Sequence, residues 1–215
     1  MSEIVGGIVD KVKVRTIQAI NRGSEYIGTG NIDRSDFSSY TIELQNSANY
    51  VRNQIRNDLG SLKESDIPSS VYTAQSNVIN NSVQDLSSSL GKIVNKVEQI
   101  LSDNVNKPLD ERVEAVNYLF DTFKNARVPA ITNTAASNIT SGIQSAMYDA
   151  VGQTYIWLTQ RDGRVRAAHA KADGQKPDSR GLFTVGGEKT PRPCHRSMSA
   201  GNRINCRCLL YPSND

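Results

Sequence analysis

Gln153-Thr154-Tyr155-Ile156-Trp157-Leu158-Thr159-Gln160-Arg161-Asp162-Gly163-Arg164 divides this chain into two textures. Residues 154–159 are β-branched and aromatic, which predicts a strand. Arg161-Asp162-Gly163-Arg164 is a turn signal. Downstream, residues 165–172 read as a short helix carrying His169. Leu182-Phe183-Thr184-Val185 reads as a strand before Gly186-Gly187, and residues 205–211 as a closing strand. Upstream, polar stretches carry apolar residues at helical spacing. The fold class these textures imply is α+β: an elongated, mostly α-helical N-terminal region, then a small loop-rich α+β module over 154–215.

The helical part divides further. Ile4, Ile8, Val12, Ile17 and Ile20 predict one helix over about 3–21, which the glycines within 23–31 should break. A second helix is expected over 35–59, capped by Asp33 or Ser35 and followed by Gly60, with Ile42, Ala48, Val51, Ile55 and Leu59 as its apolar stripe. Residues 61–68 read as a linker. From Ser69 or Ser70 to Asp103, the positions Ile79, Val83, Leu86, Leu90, Ile93, Val97 and Ile100 alternate steps of four and three. That is a coiled-coil-like seam in need of a hairpin partner or neighbouring copies. Pro108 opens the next helix, with Asp110 and Glu111 at its positive end. It should run to Lys124 and bury Val113, Val116, Leu119, Phe120 and Phe123. Pro129 is expected to interrupt before a last helix over 130–151, where Ala135, Ala136, Ser141 and Gly142 permit close helix approach. The segments are 1–106, a helical arm or bundle; 107–153, a helical part attached to the terminal module; and 154–215, the basic module itself.

Hydrophobic residues make up 37 % of the chain and aromatics 6 %, which predicts one modest core and helices whose faces need partners. The net charge of +3 hides an asymmetry. Residues 154–215 carry eleven Lys and Arg against five Asp and Glu, so the preceding residues are slightly acidic. A basic terminal module suggests a polyanion or an acidic protein surface as partner, set against the plainer reading of a solvated face. Nothing at the N-terminus resembles a signal peptide, and no apolar run approaches the roughly 18 residues of a membrane span. The expectation is a protein kept in the cytoplasm or leaving it without a leader, where three cysteines favour thiol or metal chemistry over disulfides.

Trp157-x-Thr159-x-x-Asp162-x-x-Val165-Arg166-x-x-His169-x-x-x-Asp173-Gly174, then Phe183, then Asn205-Cys206-Arg207-Cys208, resembles the phage Mu F-like head morphogenesis domain. The resemblance covers roughly 108–210, with Ala126-Arg127-x-x-Ala130-Ile131-x-x-Thr134 similar to the family's helical segment. Two positions depart from the pattern. Asn133 follows Thr132 where the family often has a Thr-Glu pair. The family's His shortly before Asn-Cys-Arg-Cys is replaced by Cys194-His195 about ten residues earlier.

Both histidines and all three cysteines lie between His169 and Cys208. Cys206 and Cys208, two apart on a predicted strand, place both sulfurs on one face and Arg207 on the other. Two thiolates on one side suit a tetrahedral zinc. Cys194, with His169 or His195, completes a Cys3His set, and the resemblance favours His169. Four protein ligands make such a zinc structural, clamping the His169 segment to the terminal strand. The competing readings are three reduced cysteines packed as small hydrophobes, with His169 bonded to a backbone group, or a labile disulfide of Cys194. Asp162, Asp173 and Asp178 invite a catalytic reading with His169 as general base. Asp162-Gly163 and Asp173-Gly174 read better as turns in which Asp bonds its own backbone.

The resemblance implies a minor head protein of a tailed double-stranded DNA phage. It would act structurally in head morphogenesis at or near the portal vertex of the virion, without catalytic turnover. Portal protein or other capsid proteins are the implied partners, and several copies per particle are expected. The basic module would face packaged DNA or an acidic protein surface, with Arg161, Arg164, Arg166 and Arg207 as candidate contacts. A reading from another class is a metal-dependent nuclease or zinc-stabilised nucleic-acid-binding module. Cys194-His195 followed by Asn202, Asn205 and Cys206-x-Cys208 is similar to small His/Asn nucleases braced by zinc. Such a site needs a second metal-binding residue beside its general-base histidine, and only His195 lies in that stretch.

Overall fold

A computed structural model describes residues 1–23, 32–60 and 62–213. Four long helices come first: α1 (Ser2–Asn21), α2 (Ser38–Asp58), α3 (Ser69–Asp103) and α4 (Leu109–Ala150). Then come β1 (Tyr155–Leu158), α5 (Ala167–Ala170), β2 (Phe183–Val185), β3 (Glu188–Thr190), α6 (Ala200–Arg203) and β4 (Leu209–Pro212). The fold is α+β, as the change of texture after Gly152 predicts. Beyond Gly23, the glycine-rich break over 23–31 lies outside the described residues. Among those described, no helix is long and apolar enough to cross a membrane.

Two compact units interleave along the chain. One is Met1–Glu43 with Val83–Thr132, the other Leu44–Ser82 with Asn133–Asp215. The segments read from sequence follow chain order instead. The units interleave because α2, α3 and α4 are each long enough to contribute to both.

In the first unit, α1 runs antiparallel to the first half of α4. Ser2 meets Thr132 (3.1 Å), Asp10 meets Lys124 (2.6 Å) and Lys13 meets Asp121 (2.8 Å). The buried face of α1 is Val5, Gly6, Ile8, Val9, Val12, Thr16 and Ile20. Ile4 and Ile17, expected on it, are only half-buried, displaced by Val5, Val9 and Thr16. Gly6 lies where an added Cβ would come within 3.2 Å of the Lys124 side chain. Asp33 accepts from the Ser35 amide, and Asp36 accepts from the Asp33 amide, a reciprocal cap for the 3-10 turn Arg34–Phe37 that leads into α2.

The stripe expected on α2 is shifted. Ile42 is 61 % exposed, while Tyr40, Leu44, Ala48, Arg52 and Ile55 are buried. Arg52 is admitted because its guanidinium reaches Gln75 (2.6 Å), Asn49 (3.1 Å) and Glu64 (3.1 Å) and lies over the Tyr72 ring. On α3 the buried face includes Val78, Ser82 and Val94 beside Ile79, Leu86, Leu90, Ile93 and Val97, which makes it broader than a two-in-seven seam. Val83 and Ile100 are half-buried.

Pro129 does not interrupt. It sits inside the 42-residue α4. Pro129 and Asn125, whose carbonyl loses its partner, both lie on the exposed side, where water serves instead. The buried face continues past it through Phe120, Phe123, Val128, Thr132 and Ala135. In the second unit, Gly142 of α4 lets α3 approach: an added Cβ would stand 2.5 Å from a Val78 methyl. Gly152, at φ +65°, closes α4 with the Gln153 amide bonded back to the Tyr148 carbonyl (2.9 Å).

Candidate metal centre

The centre is built on β1, α5 and the approach to β4. β1 pairs antiparallel with β4, placing Trp157 opposite Leu210. Its other edge exchanges two bonds with the turn after α5: the Trp157 amide donates to the Gln175 carbonyl (2.9 Å), and the Gly174 amide to the Trp157 carbonyl (2.8 Å). Trp157 is fully buried, edge-on to Phe183 (5.4 Å between ring centres) and to His169 (6.0 Å). The four-residue α5 thereby holds the imidazole inside the module, 2 % exposed.

Cys206 and Cys208 come to the same imidazole from the coil before β4. They do not sit on the strand, which starts only at Leu209. Asn205 begins this approach at φ +57°, and the Arg166 guanidinium binds the Ile204 and Asn202 carbonyls around it. The His169 Nδ1 is 3.3 Å from the Cys208 sulfur and 3.6 Å from the Cys206 sulfur. These three ligand atoms lie within 4.8 Å of one another, and all three side chains are buried. Among the described residues, the His169 Nε2 has no hydrogen-bond partner. Imidazole and two thiols form a donor set for a soft or borderline divalent metal.

Cys194 touches that group only through Cys206, and His195 stands apart from it. Cys194, at φ +58°, is buried with its thiol donating to the carbonyls of Cys206 (3.4 Å) and Arg203 (3.7 Å). All three cysteines are free thiols. Hydrogen bonds from the Cys194 and Cys208 thiols pull the Cys206 thiol strongly down, while Cys194 and Cys208 are pushed up by donating to it and by burial. His195 accepts from the Ser197 amide (3.2 Å), and burial lowers its basicity. Among the described residues it joins no group of metal-binding side chains. The nuclease reading therefore lacks its second ligand at His195.

A model of the family described as Phage Mu protein F like protein matches residues 91–211, more than half of the chain. The chain belongs to the Phage Mu protein F-like family. Membership makes it a phage head morphogenesis protein. No curated protein and no solved structure matches the chain. The family segment opens within α3, takes in all of α4 and ends in β4, so it contains the whole His169, Cys206 and Cys208 group.

Within the Mu F-like segment, the four arginines expected to reach a polyanion are mostly occupied. Arg207 donates to both Asp162 oxygens (2.7 and 2.8 Å), and its bond holds that carboxyl far below the usual range. Arg161 binds Asp173 (2.9 Å), and Arg166 is spent on backbone carbonyls. Arg164, 81 % exposed, has a 3.5 Å contact with Asp162. The three aspartates all accept hydrogen bonds from nearby groups. Asp162 accepts from the Arg164 amide, as its Asp-Gly turn predicts, and Asp178 accepts from the amides of Arg180 and Leu182. Asp173 instead bonds across to the amide and hydroxyl of Thr159.

Sequence reasoning missed Arg192. Buried, it donates to the Asn138 carbonyl (3.2 Å) and side chain (2.9 Å), to Ser141 (3.0 Å) and to the Pro193 carbonyl (3.2 Å). Burial lowers its pKa to about 10. The only signal was indirect: Asn138, Ser141 and Gly142 are polar or small residues on what should be a buried helix face.

Proposed function

We propose that this protein is a minor head protein of a tailed double-stranded DNA phage, docked at or near the portal vertex and acting by assembly without turnover. The observation that carries the reading is the family match over residues 91–211. Apolar side chains left at the surface around the α3–α4 turn support a protein partner: Val105 is 65 % exposed, Leu109 42 % and Tyr118 74 %. Portal or other capsid proteins are the partners this reading names, with several copies in each particle. The exposed Arg164 and Arg161 side chains give the terminal module its means of touching packaged DNA. Because most of the arginines already hold acidic or backbone partners, that contact is weak, sequence-independent and steeply salt-dependent.

Quantifying the polypeptide by mass spectrometry in purified DNA-filled particles, relative to the portal subunit, tests the reading. A few to a few tens of copies per particle is the expected result. Absence from mature particles refutes it.

A further inference from the structure

We propose that His169, Cys206 and Cys208 hold one zinc ion through three protein ligands, with the fourth position supplied from an adjoining arginine-lined cavity by water or a small anion. This is independent of the assembly reading above.

The distances carry the first part. Zinc bonds of about 2.0–2.1 Å to nitrogen and about 2.3 Å to sulfur give a tetrahedral N···S edge of roughly 3.6 Å. The observed separations from His169 Nδ1 are 3.3 and 3.6 Å. A simple hydrogen bond explains one of these contacts, whereas a shared metal explains both. Ligation through Nδ1 leaves the ring proton on Nε2, which has no hydrogen-bond partner among the described residues. Binding displaces the remaining thiol protons of Cys206 and Cys208 to solvent. The resulting pair of thiolates neutralises the divalent charge, which suits a buried position.

The fourth position is set by the surroundings of the group. Cys194 is the obvious candidate by composition. Yet its thiol donates to the Cys206 sulfur and lies against the Cys206 and Arg203 carbonyls, and it is not among the donors that all lie within 4.8 Å of one another. It also does not line the cavity beside that group. The cavity measures about 20 Å³ and is bordered by His169, Cys206 and Cys208 together with Arg164, Arg166 and Arg207. That volume holds about one water. Three protein ligands with a water-sized opening is the coordination pattern of an exchangeable site, and the guanidinium groups around it favour an oxygen or anionic donor. The ion still clamps α5 to the approach of β4, and in addition presents one replaceable ligand to solvent.

Metal content of the full chain, purified without chelator and reconstituted with zinc, tests the assignment beside three variants: Cys194→Ser, Cys208→Ser and His169→Ala. About one zinc per chain is expected in the unaltered protein and in Cys194→Ser. A loss of affinity of at least about tenfold is expected in the other two. Less than about a tenth of a zinc per chain in the unaltered protein overturns the site. Loss of zinc from folded Cys194→Ser overturns the three-ligand assignment. Should Cys208→Ser or His169→Ala fail to fold, cobalt substitution of the unaltered protein and of Cys194→Ser decides. Equal thiolate-to-cobalt absorption in both proteins, with a visible spectrum that shifts on adding azide, supports the proposal. Weaker absorption in Cys194→Ser, or a spectrum indifferent to azide, overturns it.

Discussion

In the unit formed by Met1–Glu43 and Val83–Thr132, burial follows the helical repeat; in the module that begins at β1, it follows hydrogen bonds. The first region buries Val5, Val9, Val12, Leu86, Leu90, Val94, Val97, Val116 and Phe120. Its ion pairs of Lys13 with Asp121 and of Lys124 with Asp10 stay at the margins, and the buried Asp36 is paired with Arg15. The second region puts His169, Thr190 and Arg192 inside beside Trp157 and Phe183. The difference comes from the backbone. A helix satisfies its own amides and carbonyls, so its side chains need only be apolar on one face. A loop-rich module leaves backbone groups that side chains must meet, as Arg192 does for Pro193, and Arg166 for Ile204. Individual residues therefore matter more in the second region, and the first tolerates more exchange among aliphatic side chains.

Substitutions in the two regions should break in that order. Trp157→Ala removes the largest fully buried side chain and is expected to cost about 3–5 kcal/mol in denaturant unfolding, enough to unfold the module. Leu90→Ala, in the buried face of α3, should cost about 2–5 kcal/mol by the same measurement, and Leu90→Met less than about 1.5 kcal/mol. A milder effect for Trp157→Ala than for Leu90→Ala would reverse the comparison. Gly142→Ala drives a methyl into Val78, and a loss of about 1–3 kcal/mol is expected, partly restored by Val78→Ala. Asp33→Ala removes the cap of the turn before α2 and should lower the denaturant midpoint by less than Gly142→Ala does.

The smallest expected effect is one of pH. A hydrogen bond from Lys189, then the amides of Leu182 and Arg180, hold Asp178 at about 2, below its ordinary value. A carboxyl with a depressed folded-state pKa adds stability above the unfolded value, near about 4, and loses it as pH falls towards 2. Trp157, the single tryptophan, reads the module directly. Its fluorescence in acid titration should show Asp178→Asn losing part of the decline between about pH 4 and 2. An unchanged profile would mean that Asp178 contributes nothing to the module.

Periodic features are legible in the sequence, and features of convergence are not. Helix α3 runs over the residues its apolar spacing predicts, and Gly142 makes the close approach expected of a small residue. The stripe on α2 departs from its spacing because Ile42 scores as apolar while Arg52 does not, although the partners that admit Arg52 come from other segments, at Glu64 and Gln75. Pro129 reads as a break because a proline removes an amide wherever it stands. Whether the orphaned carbonyl faces water depends on which side of the helix is buried.

The same division runs through the candidate site. Composition alone determined that all imidazole and thiol groups fall within one stretch of the chain, after a helical region and inside a basic, loop-rich module. The Mu F-like pattern was likewise written in that stretch. Only the tertiary structure decided that His169, Cys206 and Cys208 converge, that Cys194 reaches the group through Cys206 alone while His195 does not reach it, and that Arg161 and Arg207 hold aspartates. The physical reason is range. Helical periodicity and residue type act within a few positions, whereas the meeting of side chains 37 and 39 residues apart depends on turns such as the left-handed Asn205 and on the side chains packed between them.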